Sequence, residues 1–308
     1  MSSCNQPKKT KSKLLMKYLS FLRDYQCLSE ATISIRRIFV SRFLSEIADI
    51  ATPSKLHRLS PETIHDYIIK TCQPLNRASK KHLTSSLRSF LRFAHIYGYL
   101  KKNLVEAVPI ITTRKLEGIP RIISWEDVKK LLSSPDRKTP QGRRDYAIIL
   151  LCATYGVRIG QVRNLKLTDI RWHEGIINFR SSKMGKALSF PLEKRVAKAL
   201  LDYIKKDRRN EPFKEVFLTV RKPLRPLGNK NCLYSSFKLY FKHAKINSKI
   251  IGSHLIRHAF ATKLMEKKIP IKNISDLLGH KYIETTFIYT KVDTEKLRIL
   301  AKKWPEVT

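Results

Sequence analysis

Ser253-His254-Leu255-Ile256-Arg257-His258, followed by Leu278-Gly279-His280 and then by Thr285-Thr286-Phe287-Ile288-Tyr289, is the stretch on which the reading of this chain turns. The first segment reads as a helix start capped by Ser253, which puts His254 and Arg257 in the opening turn. Unpaired backbone N–H groups and the positive end of the helix dipole favour an anion there. Arginine is the side chain best matched to two oxygens of one anion, because its guanidinium is a rigid, permanently charged fork. The segment therefore reads as one wall of an oxyanion site.

The composition names a polyanion as partner. Lys and Arg number 62 against 25 Asp and Glu, a formal net charge of +37. Basic residues recur from Lys8 to Lys303, so an extended phosphate backbone fits better than a local anion. Charge alone would equally suit a ribosomal, RNA-binding or membrane-surface protein. With 42% hydrophobic residues and only 10 glycines in 308, the chain reads as globular, and its length points to two domains. Five cysteines (Cys4, Cys27, Cys72, Cys152, Cys232) show no C-x-x-C spacing, which argues against a disulfide framework or zinc ribbon and fits a reducing cytoplasm. The start, Met1 to Lys13, lacks the apolar core of a secretory signal, and no apolar run approaches the roughly 20 residues that span a bilayer.

Outward from the opening stretch, the chain is mainly α-helical. From Leu14 to about Val108 the apolar residues follow helical spacing, with Ser60 as an N-cap and Pro61 at the first helical position. Between Ser79 and Tyr97, Leu83, Leu87, Phe90, Leu91 and Ala94 form one stripe, and Lys81, Arg88 and Arg92 form a basic face for phosphates or for solvent. Residues 1–110 are thus a helical domain and 111–120, bounded by Pro109 and Pro120, a linker. Residues 121–308 form a second domain, with a cap at Ser124, an apolar helix over Asp145–Gly156 and a further helical stretch from Val157 to Leu167. Gly175–Arg180 and Ala187–Leu192 alternate as strands around Lys183-Met184-Gly185-Lys186, which predicts a small antiparallel hairpin. The rest is again mostly helical, ending in an amphipathic segment, Thr294–Lys303, with Leu297, Leu300 and Trp304 at helical spacing.

The quoted residues resemble the catalytic box of the tyrosine recombinase, or phage integrase, family. Its pattern is H-x-x-R, then L-G-H, then a tyrosine nine residues later, and His254, Arg257, His280 and Tyr289 match it. Tyr155-Gly156-Val157-Arg158 supplies the arginine expected in a T-G-x-R context, and Lys183 matches the hairpin lysine. The resemblance covers essentially the whole chain. It implies a helical core-binding (SAM-like) domain, a linker and a mixed α/β catalytic domain. It implies a site-specific recombinase on double-stranded DNA, with a homodimer on each site and a homotetramer in the synapse. It also implies that the terminal segment docks on a neighbouring subunit. No further N-terminal domain of the kind that reads arm sites is expected, which favours a simple Xer-like or mobile-element recombinase, cytoplasmic and nucleoid-associated.

The chemistry stands on its own terms too. Displacing one oxygen of a phosphodiester builds charge on the non-bridging oxygens, which Arg158 and Arg257 would clamp with His280 as a further donor. A tyrosine ester preserves the energy of the broken bond, so Tyr289 serves as nucleophile and no ATP is needed. Its phenol, with a free pKa of about 10, needs cations or a base, and His254 is the candidate. The resemblance gives proton delivery to the leaving 5′ oxygen to Lys183. The scheme calls for no metal and no other cofactor.

Three positions depart from the family pattern: Gln161 replaces the usual acid three residues after Arg158, Lys186 rivals Lys183 in the hairpin, and Ile256 replaces leucine. Lys183 is preferred for its distance from Arg158. His254 and His258 stand at metal-ligand spacing, but Arg257 between them would repel a cation, and His258 reads as a supporting or packing residue. Tyr282 has no support from the spacing, and Arg163 and Arg171 read as backbone-contacting or solvent-facing. Two other functions remain open on sequence: a DNA-binding protein that keeps the fold without catalysis, and a type IB topoisomerase.

Overall fold

The computed structural model describes residues 13–112, 123–180, 187–208, 211–228, 232–248, 250–279 and Thr286. Lys183, Lys186, His280, Tyr289, most of the linker and the terminal segment Thr294–Lys303 lie outside the described residues. The chain divides into two compact units, Met1–Glu117 and Gly118–Thr308.

The described residues of the first unit hold four α-helices, α1 (Lys13–Asp24), α2 (Glu30–Glu46), α3 (Pro61–Cys72) and α4 (Arg77–Ile96). Three of them open on polar caps. Ser29 Oγ accepts from Thr32 N, Ser60 Oγ from Thr63 N with Pro61 following, and Asn76 Oδ1 from Ser79 N. Each cap satisfies a donor that the helix itself leaves unpaired, for about 1 kcal/mol. The apolar stripe of α4 is fully buried at Leu83, Leu87, Phe90, Leu91 and Ala94, where Tyr18 of α1 meets Phe90 edge-on at 5.4 Å.

The basic face of α4 is not uniform. Lys81 and Arg92 are exposed, but Arg88 is half-buried, and its Nη1 donates to the carbonyls of Val105 (2.8 Å) and Val108 (2.7 Å). These acceptors are the first residue of the 3₁₀ turn Val105–Ala107 and the residue that follows it, so the charge that the sequence groups with Lys81 and Arg92 ties this turn to the longest helix of the unit.

In the second unit, α5 (Trp125–Ser133) opens on a reciprocal capping box between Ser124 and Asp127. Helix α6 (Pro140–Tyr155) starts earlier than its apolar run indicates, because Thr139 caps it and Pro140 takes the first position. Every residue from Arg144 to Ala153 is buried, as befits a helix that is apolar all round. Its one buried charged pair is satisfied: Arg144 Nε donates to Asp145 Oδ1 (2.8 Å), and Tyr240 OH donates to Asp145 Oδ2 (2.9 Å).

The helix expected over Val157–Leu167 shrinks to α7 (Ile159–Arg163), because Arg158 is extended (φ −73°, ψ 143°) and the chain then enters a 3₁₀ turn at Leu167–Asp169. A three-stranded antiparallel sheet follows in the order β1 (Ile170–Arg171), β2 (Ile176–Phe179) and β3 (Leu188–Pro191). Phe179 pairs with Leu188 and Ile177 with Phe190, while Ile177 and Phe179 face the core. Strand β1 escapes sequence reading because two residues carry no period. Among the described residues four further α-helices follow: α8 (Lys194–Tyr203), α9 (Cys232–His243), α10 (Ser253–Glu266) and α11 (Ile271–Leu278). The whole is mainly α with a small antiparallel sheet.

Replacing half-buried Arg88 by Ala removes two charge-assisted bonds to the carbonyls of buried Val105 and Val108 and should cost about 2 kcal/mol. Arg92→Ala should stay within about 0.5 kcal/mol. Urea unfolding midpoints of the two variants measure the difference.

Candidate active site

The site is built on two helix ends. Helix α6 stops at Gly156, which is left-handed (φ +62°) and donates its N–H back to Cys152 O. A Cβ there would stand 2.4 Å from Phe260 Cδ1 and 3.0 Å from Leu278 Cδ2, so glycine is required by conformation and by space. Helix α11 stops in the same way at Gly279 (φ +61°). Each stop leaves carbonyl oxygens that the helix cannot use.

Both arginines take those carbonyls. Arg257, on α10 and only 4% exposed, donates Nη1 to Gly156 O and Nη2 to Leu278 O, each at 2.7 Å. Arg158 donates Nη1 to Gly279 O at 3.4 Å. Carbonyl oxygens at the negative end of a helix orient a guanidinium without cancelling its charge. The two cations therefore meet around Leu278–Gly279, immediately before His280 in the chain.

His254 completes the group. Partial burial of its ring, then the charges of Arg257 and Arg158, hold its imidazole below the ordinary histidine range. It is neutral near pH 7 and able to accept a proton. His258 is depressed too, by burial first and then by His254 and Arg257. It is half-buried one turn further along α10, in keeping with a supporting role.

One expectation needs correcting. Ser253 does not cap α10; it is the first helical residue and is buried, and Gly252 takes the cap position with φ +145°, a backbone that glycine tolerates and serine does not. His254 stays in the first turn, while Arg257 moves just beyond it and owes its orientation to the carbonyls.

The departure at Gln161 is accommodated. Its side chain is 4% exposed and its Oε1 accepts the N–H of Arg158 at 3.0 Å, so a neutral amide performs the pinning that an acid would otherwise give. Ile256 is fully buried. Arg163 donates to Gly228 O (2.8 Å), and Arg171 pairs with Glu174 (2.7 Å) on the surface. Among the sequence-derived site residues, Arg158, His254 and Arg257 are brought together; Thr286, three residues before Tyr289, is fully buried. Sequence reasoning missed the acceptors because they are main-chain atoms. Their only signal is a glycine after each helical run.

The model of the phage integrase family matches residues 121–296. The chain therefore belongs to that family and is a tyrosine recombinase, an enzyme that cleaves and rejoins DNA. A Sinorhizobium fredii protein named as an integrase/recombinase, y4rA, is 38% identical over 94% of this chain and 70% of its own length. Tyrosine recombinase XerD of Listeria monocytogenes is 28% identical over 94% of this chain and 98% of its own. Among solved structures, the XerH site-specific recombinase bound to a palindromic difH substrate shares the fold with a TM-score of 0.66 at 18% identity, over 96% of this chain and 98% of that one.

Gly156→Ala should destabilise the chain by about 3 kcal/mol, from a left-handed alanine plus overlap with Phe260, as read by chemical denaturation. The depressed His254 predicts an NMR titration midpoint below about 6.5, moving upward in Arg158→Ala when a like charge is removed. Because the unfolded chain protonates this histidine first as pH falls through that range, its contribution to stability is lost toward acid and kept at neutral pH.

Proposed function

We propose that this chain recombines DNA at specific sites through a 3′-phosphotyrosyl intermediate, with Tyr289 as the nucleophile. The observation that carries the reading is the convergence of Arg158 and Arg257 on the carbonyls of Leu278 and Gly279, with His254 within reach of both charges, at the point where the chain leads on to His280 and Tyr289.

In this reading Arg158 and Arg257 hold the non-bridging oxygens of one phosphodiester, and His280 donates a further hydrogen bond. The phenolic oxygen of Tyr289 attacks phosphorus, and neutral His254 takes its proton. The bond from phosphorus to the 5′ oxygen breaks, and that oxygen takes a proton from the ammonium of Lys183, with Lys186 the rival donor. The phosphate is left as an ester of Tyr289 on the 3′ end. Attack by a 5′ hydroxyl of the partner strand reverses the steps and reseals the backbone, so no external energy source is used. The residues supply the positive charge, and no cofactor enters the scheme.

Double-stranded DNA is the partner that the +37 charge fits. Lys81 and Arg92 of α4 would touch its backbone from the 1–110 domain, with Arg88 holding that domain together beneath them. A λ integrase tetramer bound to a Holliday junction shares this fold, with a TM-score of 0.62 at 19% identity, over 90% of this chain and 76% of that one. By analogy two subunits grip each site and four form the synapse, at the nucleoid. No described helix is long and apolar enough to cross a membrane.

A nicked suicide substrate carrying the chain's own site tests the reading. Wild type should form a covalent protein–DNA adduct on a denaturing gel, and Tyr289→Phe should form none while still shifting the DNA in a native gel. An adduct that survives in Tyr289→Phe would remove Tyr289 as nucleophile.

A further inference from the structure

Tyr155 stands where the family pattern has threonine, and the scheme above gives it no task. It is buried, at 6% exposure, and forms the last residue of α6, directly before Gly156. Its hydroxyl donates to Pro191 O at 2.9 Å and accepts from Glu193 N at 3.1 Å, so both its hydrogen-bonding capacities are spent where β3 leaves the sheet. Its ring lies 5.7 Å from that of Phe179 and 5.1 Å from that of Phe190. Phe179 ends β2, and Phe190 lies two residues beyond Leu188, the register partner of Phe179. One side chain thus grips the exit of the hairpin through two hydrogen bonds and both its strands through ring contacts.

The same residue is three positions from Arg158 and next to the carbonyl that holds Arg257. The segment joining β2 to β3 carries Lys183 and Lys186, and the two strands fix the points from which that segment departs and returns. We infer that Tyr155 is a positioning residue that sets the lysine-bearing hairpin in register with the arginine pair, so that the leaving 5′ oxygen is protonated at the phosphate the arginines hold. A threonine could neither reach Pro191 and Glu193 together nor offer a ring to both strands. The inference rests on the reading that a hairpin lysine supplies that proton.

The test compares leaving groups. In a suicide substrate whose scissile 5′ oxygen is replaced by sulfur, the departing group is a thiolate; its parent thiol has a pKa of about 8.5, so it leaves without an acid. Tyr155→Phe keeps the ring and deletes the hydroxyl. It should slow covalent cleavage of the ordinary substrate about tenfold and of the sulfur substrate less than about twofold, a part of the 10²–10⁴ that general acid catalysis supplies. The ratio is taken within each variant, so a smaller folded fraction does not change it.

Equal slowing on both substrates, or none on either, would overturn the positioning role. Lys183→Ala and Lys186→Ala run beside it. If sulfur restores one of them but not Tyr155→Phe, the positioning role alone fails. If sulfur restores neither lysine variant, the hairpin is not the proton source, and the inference falls with that reading. Arg158→Ala, which loses phosphate binding, should stay slow on both substrates.

Discussion

Two arginines held by the spent ends of two helices are the constraint on which the rest of this structure depends. Arg257 reaches the carbonyls of Gly156 and Leu278, and Arg158 that of Gly279. Burying a guanidinium at 4% exposure is costly unless its donors are met, and the helix termini supply acceptors that need partners themselves. Two deficits thus cancel in one place. The condition is that α6 and α11 both end there, and each stops on a left-handed glycine, Gly156 with no room for a side chain against Phe260 and Gly279 in tight contact with Leu188.

The surroundings follow from that arrangement. Helix α6 is buried on all sides because it must deliver Gly156 into the interior beside α10. Arg158 cannot be helical, since the chain has to turn between α6 and α7, and Gln161 holds the extended residue by its N–H. Partial burial, and after it the gathered charges of Arg257 and Arg158, depress His254 and so supply a neutral imidazole beside two permanent cations. The electrostatic tension that an incoming phosphate would relieve adds to burial in keeping that base unprotonated.

Much of this was legible in the sequence wherever the cause was local. Caps at Ser60 and Ser124 and the hairpin around residues 176–191 follow from residue type and period. The family resemblance of the His254–Arg257 and Tyr155–Arg158 stretches implied that Arg158, His254 and Arg257 share one site. What stayed hidden was non-local or carried by the main chain. Arg88 looked like its neighbours Lys81 and Arg92 until Val105 and Val108 came within reach. Tyr155 meets partners more than thirty residues away, which no periodicity announces. Ser253 was displaced as a cap because glycine at 252 offers a backbone that composition rules do not rank.

Main-chain anchoring has a consequence for divergence. A carbonyl oxygen is present whatever side chain its residue bears, so substitutions along α11 can accumulate without altering what Arg257 and Arg158 grasp. Only the place where the helix stops is fixed, and with it a few atoms of clearance. A site specified this way constrains where the backbone runs far more than which residues line it. Sequences can then drift to 18% identity while the same scaffold persists.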